Sequence, residues 1–263
     1  MNSPQEIAEV YSNAGLAKTK MPFLKTFILA IFAGMFIALA GVGAAVASAS
    51  IQTASVAKLV GACVFPAGLA MVLVAGSELF TGNNLIIIPV LEGKATVGGM
   101  LRNWVIVYIG NFVGSLIVAA LCTWGNVYAL FGGALAQGIV NTANAKVSMQ
   151  FGEAMIKGIL CNFLVCIAVW MSFGAKTVGG KIAAVFFPIM VFVVSGFEHS
   201  VANMYYISAG LFTTARGAYG VTSDVLNWGV FFTKNLIPVT LGNLIGGCVF
   251  TGAGYWTAYL RKK

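Results

Sequence analysis

From Phe27 to Ala49 the chain carries no charged residue. Nor do Leu59 to Gly76, Trp104 to Trp124, Gly158 to Ala175, Ile182 to Ser195 or Asn235 to Leu260. About 20 apolar residues let a helix cross a hydrocarbon core of about 30 Å. Charged residues are 8% of the chain and hydrophobic ones 59%, where a soluble domain has about 25% charged. The sequence therefore reads as an all-α integral membrane protein, a single membrane domain over residues 1–263.

Two runs are interrupted at depth. Gly76-Ser77-Glu78-Leu79-Phe80-Thr81-Gly82-Asn83 breaks one, and Asn84 to Pro89 continues it as a short half. Gly196-Phe197-Glu198-His199-Ser200-Val201-Ala202-Asn203 breaks another, which resumes from Val201 to Leu211. Both fit the pattern G-x-E-x4-N. An ionisable group at that depth costs about 2.5–3.5 kcal/mol on insertion scales. Irregular backbone survives there only where protein or water covers it.

The following spans match as well. Asn103-x6-Gly110-Asn111-x2-Gly114 and Asn235-x6-Gly242-Asn243-x2-Gly246 share one spacing. Three spans per copy is an odd number, so the second copy enters the membrane upside down. The predicted architecture is six transmembrane helices as an inverted 3+3 repeat, with helices 2 and 5 broken. The first repeat covers 24–124 and the second 152–260. In such folds the substrate path runs where the breaks meet, near the midplane.

Residues 1–20 read as an interfacial N-terminal helix, opened by the capping box Ser3-Pro4-Gln5-Glu6. This helix anchors at the surface or plugs a pore. The polar start and the long first apolar run do not suit a signal peptide. Lys18, Lys20, Lys25, Lys94, Arg102, Lys176, Lys181, Arg261, Lys262 and Lys263 fall on one side of the six-span arrangement. Lys58, Lys146, Lys157, Arg216 and Lys234 fall on the other. The richer side is cytoplasmic, so both termini are expected inside, in a cell inner membrane. The formal charge of +8 is scattered over segment ends, which argues against nucleic-acid binding. Cys63, Cys122, Cys161, Cys166 and Cys248 contain no C-x-x-C pair and read as buried thiols. One histidine and separated carboxylates make no metal site, and no cofactor is expected.

His199 is the only histidine, and it sits inside a break. Its ring is a donor and an acceptor when neutral and two donors when protonated. It readily changes charge near neutral pH. That suits a small anion or its neutral acid, with Thr81 offered from the other break. A histidine bonded to a backbone carbonyl is the plainer alternative. Glu78 and Glu198 hold matching places, as proton relays or as acids that tie up the loose amides of the breaks. Phe65, Leu69, Leu79, Phe80 and Phe192 flank the breaks as core, or as apolar constrictions that stop water and ions. Lys146 precedes a span on the outer side, as a solvated loop lysine or as a cation that draws anions to a pore mouth. Ser200 adjoins His199, but no nucleophile–histidine–acid spacing follows, so an enzyme is not expected.

Taken together, Gly76 to Gly82, Lys157 to Cys166, Ser195 to Met204 and Asn235 to Asn243 resemble the signatures of the formate/nitrite transporter family. The resemblance covers nearly the whole chain. It implies an aquaporin-like six-helix protomer, assembled as a homopentamer with a pore in each copy. It implies passage of small monovalent anions: formate, nitrite or hydrosulfide. His199 then matches the central pore histidine and Thr81 the threonine of the first break. Asn162 and Asn243 match polar residues near that histidine. Phe65, Leu69, Leu79 and Phe192 match constriction residues, and Lys146 the vestibule lysine. The compact outer connection, Ser208 to Lys234, is more like that of the shorter nitrite or hydrosulfide members.

The reading is a channel or proton-coupled carrier for small monovalent anions of weak acids, influenced by pH through His199. An aquaporin-like facilitator of neutral solutes is the alternative within transport. An intramembrane enzyme or a structural membrane protein is the alternative outside it.

Overall fold

The computed structural model describes residues 1–261. Lys262 and Lys263, counted above for orientation, lie outside the described residues. Among the described residues every regular element is helical. Apart from a 3-10 segment at Val127–Gly133, they are in chain order α1 (Pro4–Thr19), α2 (Phe23–Ser48), α3 (Ala54–Ala75), α4 (Phe80–Leu91) and α5 (Val97–Trp124). Then come α6 (Ala134–Val147), α7 (Phe151–Gly174), α8 (Val178–Val194), α9 (Ser200–Arg216) and α10 (Trp228–Tyr259). Helices α2, α3, α5, α7 and α10 are long and apolar enough to cross a membrane. The apolar helices α4 and α8 are shorter and flank the two breaks.

The glycines of the N-x6-G-N-x2-G pattern let helix backbones touch. A Cβ on Gly114 would strike the carbonyl of Ile31 on α2, and one on Gly110 would strike Ala30. In the second half, Cβ atoms on Gly242 and Gly246 would strike the carbonyls of Met155 and Ile159 on α7. So α5 lies against α2, and α10 against α7, at a separation only glycine permits. Within α10 the residues Phe231–Leu236 and Ile245–Ala253 widen to π-helix.

This close contact brings one asparagine to each break. Helix α3 ends at Gly76 (φ +80°), and α8 is followed by Gly196 (φ +71°). The chain then runs extended, through Leu79 before α4 and His199 before α9. Asn111 Oδ1 accepts the Phe80 N–H (2.9 Å), and its Nδ2 donates to the carbonyls of Ala30 (2.7 Å) and Glu78 (2.9 Å). Asn243 repeats the set with Ser200 N–H (2.9 Å), Gly158 (2.8 Å) and Glu198 (2.9 Å). The Glu78 and Glu198 amides donate to the carbonyls of Leu29 (3.2 Å) and Lys157 (3.3 Å). Protein groups thus meet the amides of Glu78, Phe80, Glu198 and Ser200 and the carbonyls of Glu78 and Glu198.

Helix α1 begins with the predicted capping box. Ser3 Oγ accepts the Glu6 N–H (3.3 Å), and the Glu6 carboxylate accepts the Ser3 N–H (2.6 Å). These bonds hold the Glu6 carboxyl below its ordinary pKa. The helix does more than anchor at a surface. It buries Ile7, Ala8, Tyr11, Ser12 and Gly15. Tyr11 packs edge-on against Phe173, near the end of α7 (centroids 5.1 Å), and donates to the Gly82 carbonyl (3.3 Å).

Two boundaries and the burial of two cysteines differ from expectation. The polar stretch Gly125 to Gln150, read as a connection, contains the helix α6, whose Leu135, Ala136, Ile139 and Val140 are buried. The outer connection shrinks, because α9 continues through Ser208 to Arg216. Cys63 is exposed and Cys248 half-buried, so not all the thiols are core.

Gly114→Val or Gly246→Val should push two helix backbones apart, at a cost of about 1–3 kcal/mol or more. Gly138, whose added Cβ would meet nothing within 4 Å, should accept alanine without loss. Melting of the purified variants in detergent checks this. Equal melting temperatures for all three would remove the close-packing role.

Candidate functional site

A cavity of about 520 Å³ opens beside the second break. Lys58, Lys146, Lys157, Glu153 and Glu198 supply its charged lining, and His199 adds an imidazole. Phe65 and Phe192 form its floor, packed edge to face with centroids 5.8 Å apart. A far smaller space of about 10 Å³ also meets Phe65, Phe192 and His199, and adds Leu69, Leu79, Ile37, Val165 and Ile189. That is near the volume one water centre needs, and its walls are apolar except for the imidazole.

His199 is the N-cap of α9 and is 3% exposed. Its Nδ1 accepts the Ala202 N–H (3.0 Å). The proton of the neutral ring therefore sits on Nε2, which contacts Thr81 Oγ1 at 2.8 Å. Thr81 Oγ1 is then the acceptor and keeps its own hydrogen to donate. The ring stacks on Phe192 at 5.9 Å and 20°. The plainer alternative, a bond to a backbone carbonyl, does not hold. Ser200 Oγ has no hydrogen-bond partner, so it forms no dyad with His199.

The two acids form matching chains. Glu78 receives Lys18 Nζ (2.5 Å) and Asn83 Nδ2 (2.7 Å). Asn83 also donates to Asn103 Oδ1 (2.9 Å), whose Nδ2 donates to the Lys18 carbonyl (3.2 Å). Glu198 receives Lys146 Nζ on both oxygens (3.0 Å each) and Asn203 Nδ2 (2.6 Å). Asn203 donates to Asn235 Oδ1 (2.8 Å), and Asn235 to the Lys146 carbonyl (2.9 Å). Neither carboxylate binds a loose backbone amide of its break, as the sequence suggested. Asparagines 111 and 243 take those amides, and the acids bind cations and amides from other elements.

Other predicted residues are placed as follows. Phe80 lines neither space. It follows Leu79 and points the other way, edge-on to Tyr108 (4.8 Å) and Trp104 (6.3 Å). Asn162 holds the first break from behind, donating to the carbonyls of Thr81 (3.3 Å) and Asn243 (2.7 Å), while Cys166 Sγ also reaches the Thr81 carbonyl (3.3 Å). Asn243 spends its amide on the second break. Neither asparagine lines the cavities.

A family model described as formate/nitrite transporter matches residues 5–257. The chain belongs to the formate/nitrite transporter family. It is 40% identical over 271 residues to the formate channel FocA of Escherichia coli (strain K12), covering 99% of this chain and 95% of that one. Among solved structures it is similar to an FNT family ion channel, at 32% identity and TM-score 0.86, covering 96% of this chain and 98% of that one. It is likewise similar to a pentameric formate channel with formate bound, at 36% identity and TM-score 0.79, covering 91% and 98%. With its apolar helices, this makes it a multi-pass membrane protein of a transport family.

For a transporter of this family the sequence reading missed Lys18, Asn103, Asn111 and Lys58. A signal for Lys18 was present: it precedes Ala30 by twelve residues, the interval between Lys146 and Gly158. The side chains of the Lys146–Glu198 pair are 15% and 7% exposed. Removing one partner of such a pair leaves a charge uncompensated and costs about 3–5 kcal/mol. Glu198→Ala should therefore destabilise strongly, whereas the double variant Lys146→Met/Glu198→Leu should lose less than the single. Thermal melts of the three proteins decide it, and simple additivity would count against a coupled pair.

Proposed function

We propose that this protein is a channel for formate and related small monovalent anions of weak acids, nitrite and hydrosulfide included. The observation that carries the reading is the His199–Thr81 contact, buried beside apolar walls beneath a lysine-lined cavity. The likeness to a formate channel and to a formate-bound pentamer supports formate as the first substrate and a homopentamer as the assembly.

The protomer has six spans in two inverted halves, with spans two (α3 and α4) and five (α8 and α9) broken, in an aquaporin-like arrangement. Matching hydrogen-bond sets around Asn111 and Asn243 support this. So do α1 and α6, which present Lys18 and Lys146 to equivalent acids. Tyr11 of α1 meets α7 near its end, at Phe173, while Lys146 of α6 shares a cavity with Lys157 near its start. Each half then begins at its short helix, earlier than residues 24 and 152. The protein sits in the inner membrane with both termini cytoplasmic, as the lysine distribution supports.

The anion enters the wide cavity, loses water at Phe65 and Phe192, and meets His199 Nε2–H and the Thr81 hydroxyl. Leu69 and Leu79 close the far side with Ile37, Val165 and Ile189. A bare charge in a space of about 10 Å³ with such walls is poorly solvated, so the weak acid crosses neutral, with a proton taken from water on the entry side and released to water on the far side. The influence of pH passes through His199. A second proton on Nδ1 would face the Ala202 N–H, so charging the ring loosens the start of α9.

Reconstituted liposomes with formate, nitrite, hydrosulfide, chloride, water and glycerol, at two pH values, test the reading. It expects flux of the weak-acid anions with chloride excluded. Water and glycerol flux alone would instead support a neutral-solute facilitator, and no flux at all would point outside transport. His199→Phe should assemble but lose roughly 10-fold or more in flux, the scale of one hydrogen bond to a charged group. Unchanged flux and pH dependence in that variant would remove the histidine from the path. Leu79→Ala or Phe192→Ala should raise flux per folded protein and admit chloride, because dewetting depends on the width and apolarity of a throat. Equal or lower flux with chloride still excluded would leave these residues as core.

A further inference from the structure

We infer that Lys58 is the residue that recruits anions into the wide cavity, supplying charge that Lys146 and Lys157 do not. The inference rests on the proposed transport reading and assigns its entry site. Three lysines line the cavity, and so do two carboxylates. Glu198 grips Lys146 through both oxygens (3.0 Å each). Glu153 pairs with Lys157 at 2.6 Å. Each of these pairs presents no net charge to an incoming anion.

Among the described residues, Lys58 makes no ion pair and no side-chain hydrogen bond. It is exposed. Its Nζ stands 3.7 Å from where a Cβ on Gly196 would be. The ammonium therefore hangs over the break that leads through Phe197 and Glu198 to His199. An uncompensated cation at the mouth of an apolar-walled cleft focuses its field there and raises the local anion concentration. Because it is exposed and unpaired, it attracts an anion without trapping it. The competing role is structural, since the carbonyl end of α8 lies close by and favours a cation. No carbonyl there accepts a hydrogen bond from Lys58, which is why we assign it to recruitment.

The test is initial-rate uptake against anion concentration for the purified protein in liposomes, at low and at high ionic strength. Lys58→Gln should raise KM about 3-fold at low salt, as expected for one screened charge, and leave maximal flux unchanged. Lys58→Glu should raise it further, and Lys58→Arg should match the original protein. High salt should merge all four curves, because the Debye length falls to about 3 Å at 1 M. An unchanged KM and salt dependence in Lys58→Gln would overturn the inference. So would a lowered melting temperature with unchanged KM, the mark of a helix-end role. Absence of anion flux in the unsubstituted protein would overturn the transport reading and this inference together. Flux that is indifferent to Lys58 would overturn the inference alone.

Discussion

A helix that stops inside a membrane leaves backbone amides and carbonyls where no water can meet them. Each such group costs several kcal/mol if left alone. In this protein that constraint falls on two breaks, and one asparagine answers each. Asn111 and Asn243 use their whole amide group, accepting one N–H and donating to two carbonyls. They reach the breaks only because the glycines beside them bring α5 onto α2 and α10 onto α7. The glycines set the distance, the asparagines fasten the breaks, and the breaks hold His199 and Leu79 in extended backbone that no helix supplies.

The two halves match in scaffold and differ at the centre. Leu79-Phe80-Thr81 in the first break stands where His199-Ser200-Val201 stands in the second. At the first position apolar Leu79 stands against polar His199, and at the third polar Thr81 stands against apolar Val201. His199 therefore meets Thr81 across the interface at 2.8 Å, while Leu79 helps wall the small space beside it. Symmetry serves the backbone, whose needs are identical in both halves. On the proposed function, asymmetry serves the substrate, which needs a polar group at one point and a dry wall at the next.

Much of this was legible in the sequence because membranes penalise polar residues so heavily. A glutamate beside the only histidine in an apolar run had few permissible surroundings. The paired N-x6-G-N-x2-G spacings tied each break to its neighbouring span. What stayed hidden was pairing across long separations. Glu78 and Glu198 invited a local partner, but their partners are Lys18 and Lys146 on short amphipathic helices. Neither helix is apolar enough to stand out as a membrane element. Phe80 read as core or as a constriction because it flanks the break, and its packing against Tyr108 and Trp104 fits the first of these. Lys146 read as a solvated loop lysine or an anion-drawing cation, since nothing in its neighbourhood in sequence reveals the carboxylate that neutralises it.

The most direct test of the account is a structure of the assembled protein solved with formate at saturating concentration. The account predicts formate within hydrogen-bond distance of His199 Nε2 and Thr81 Oγ1, inside each protomer and between the phenylalanine and leucine walls. Formate confined to the lysine-lined cavity, or found only between protomers, with His199 still bonded to Thr81, would contradict it.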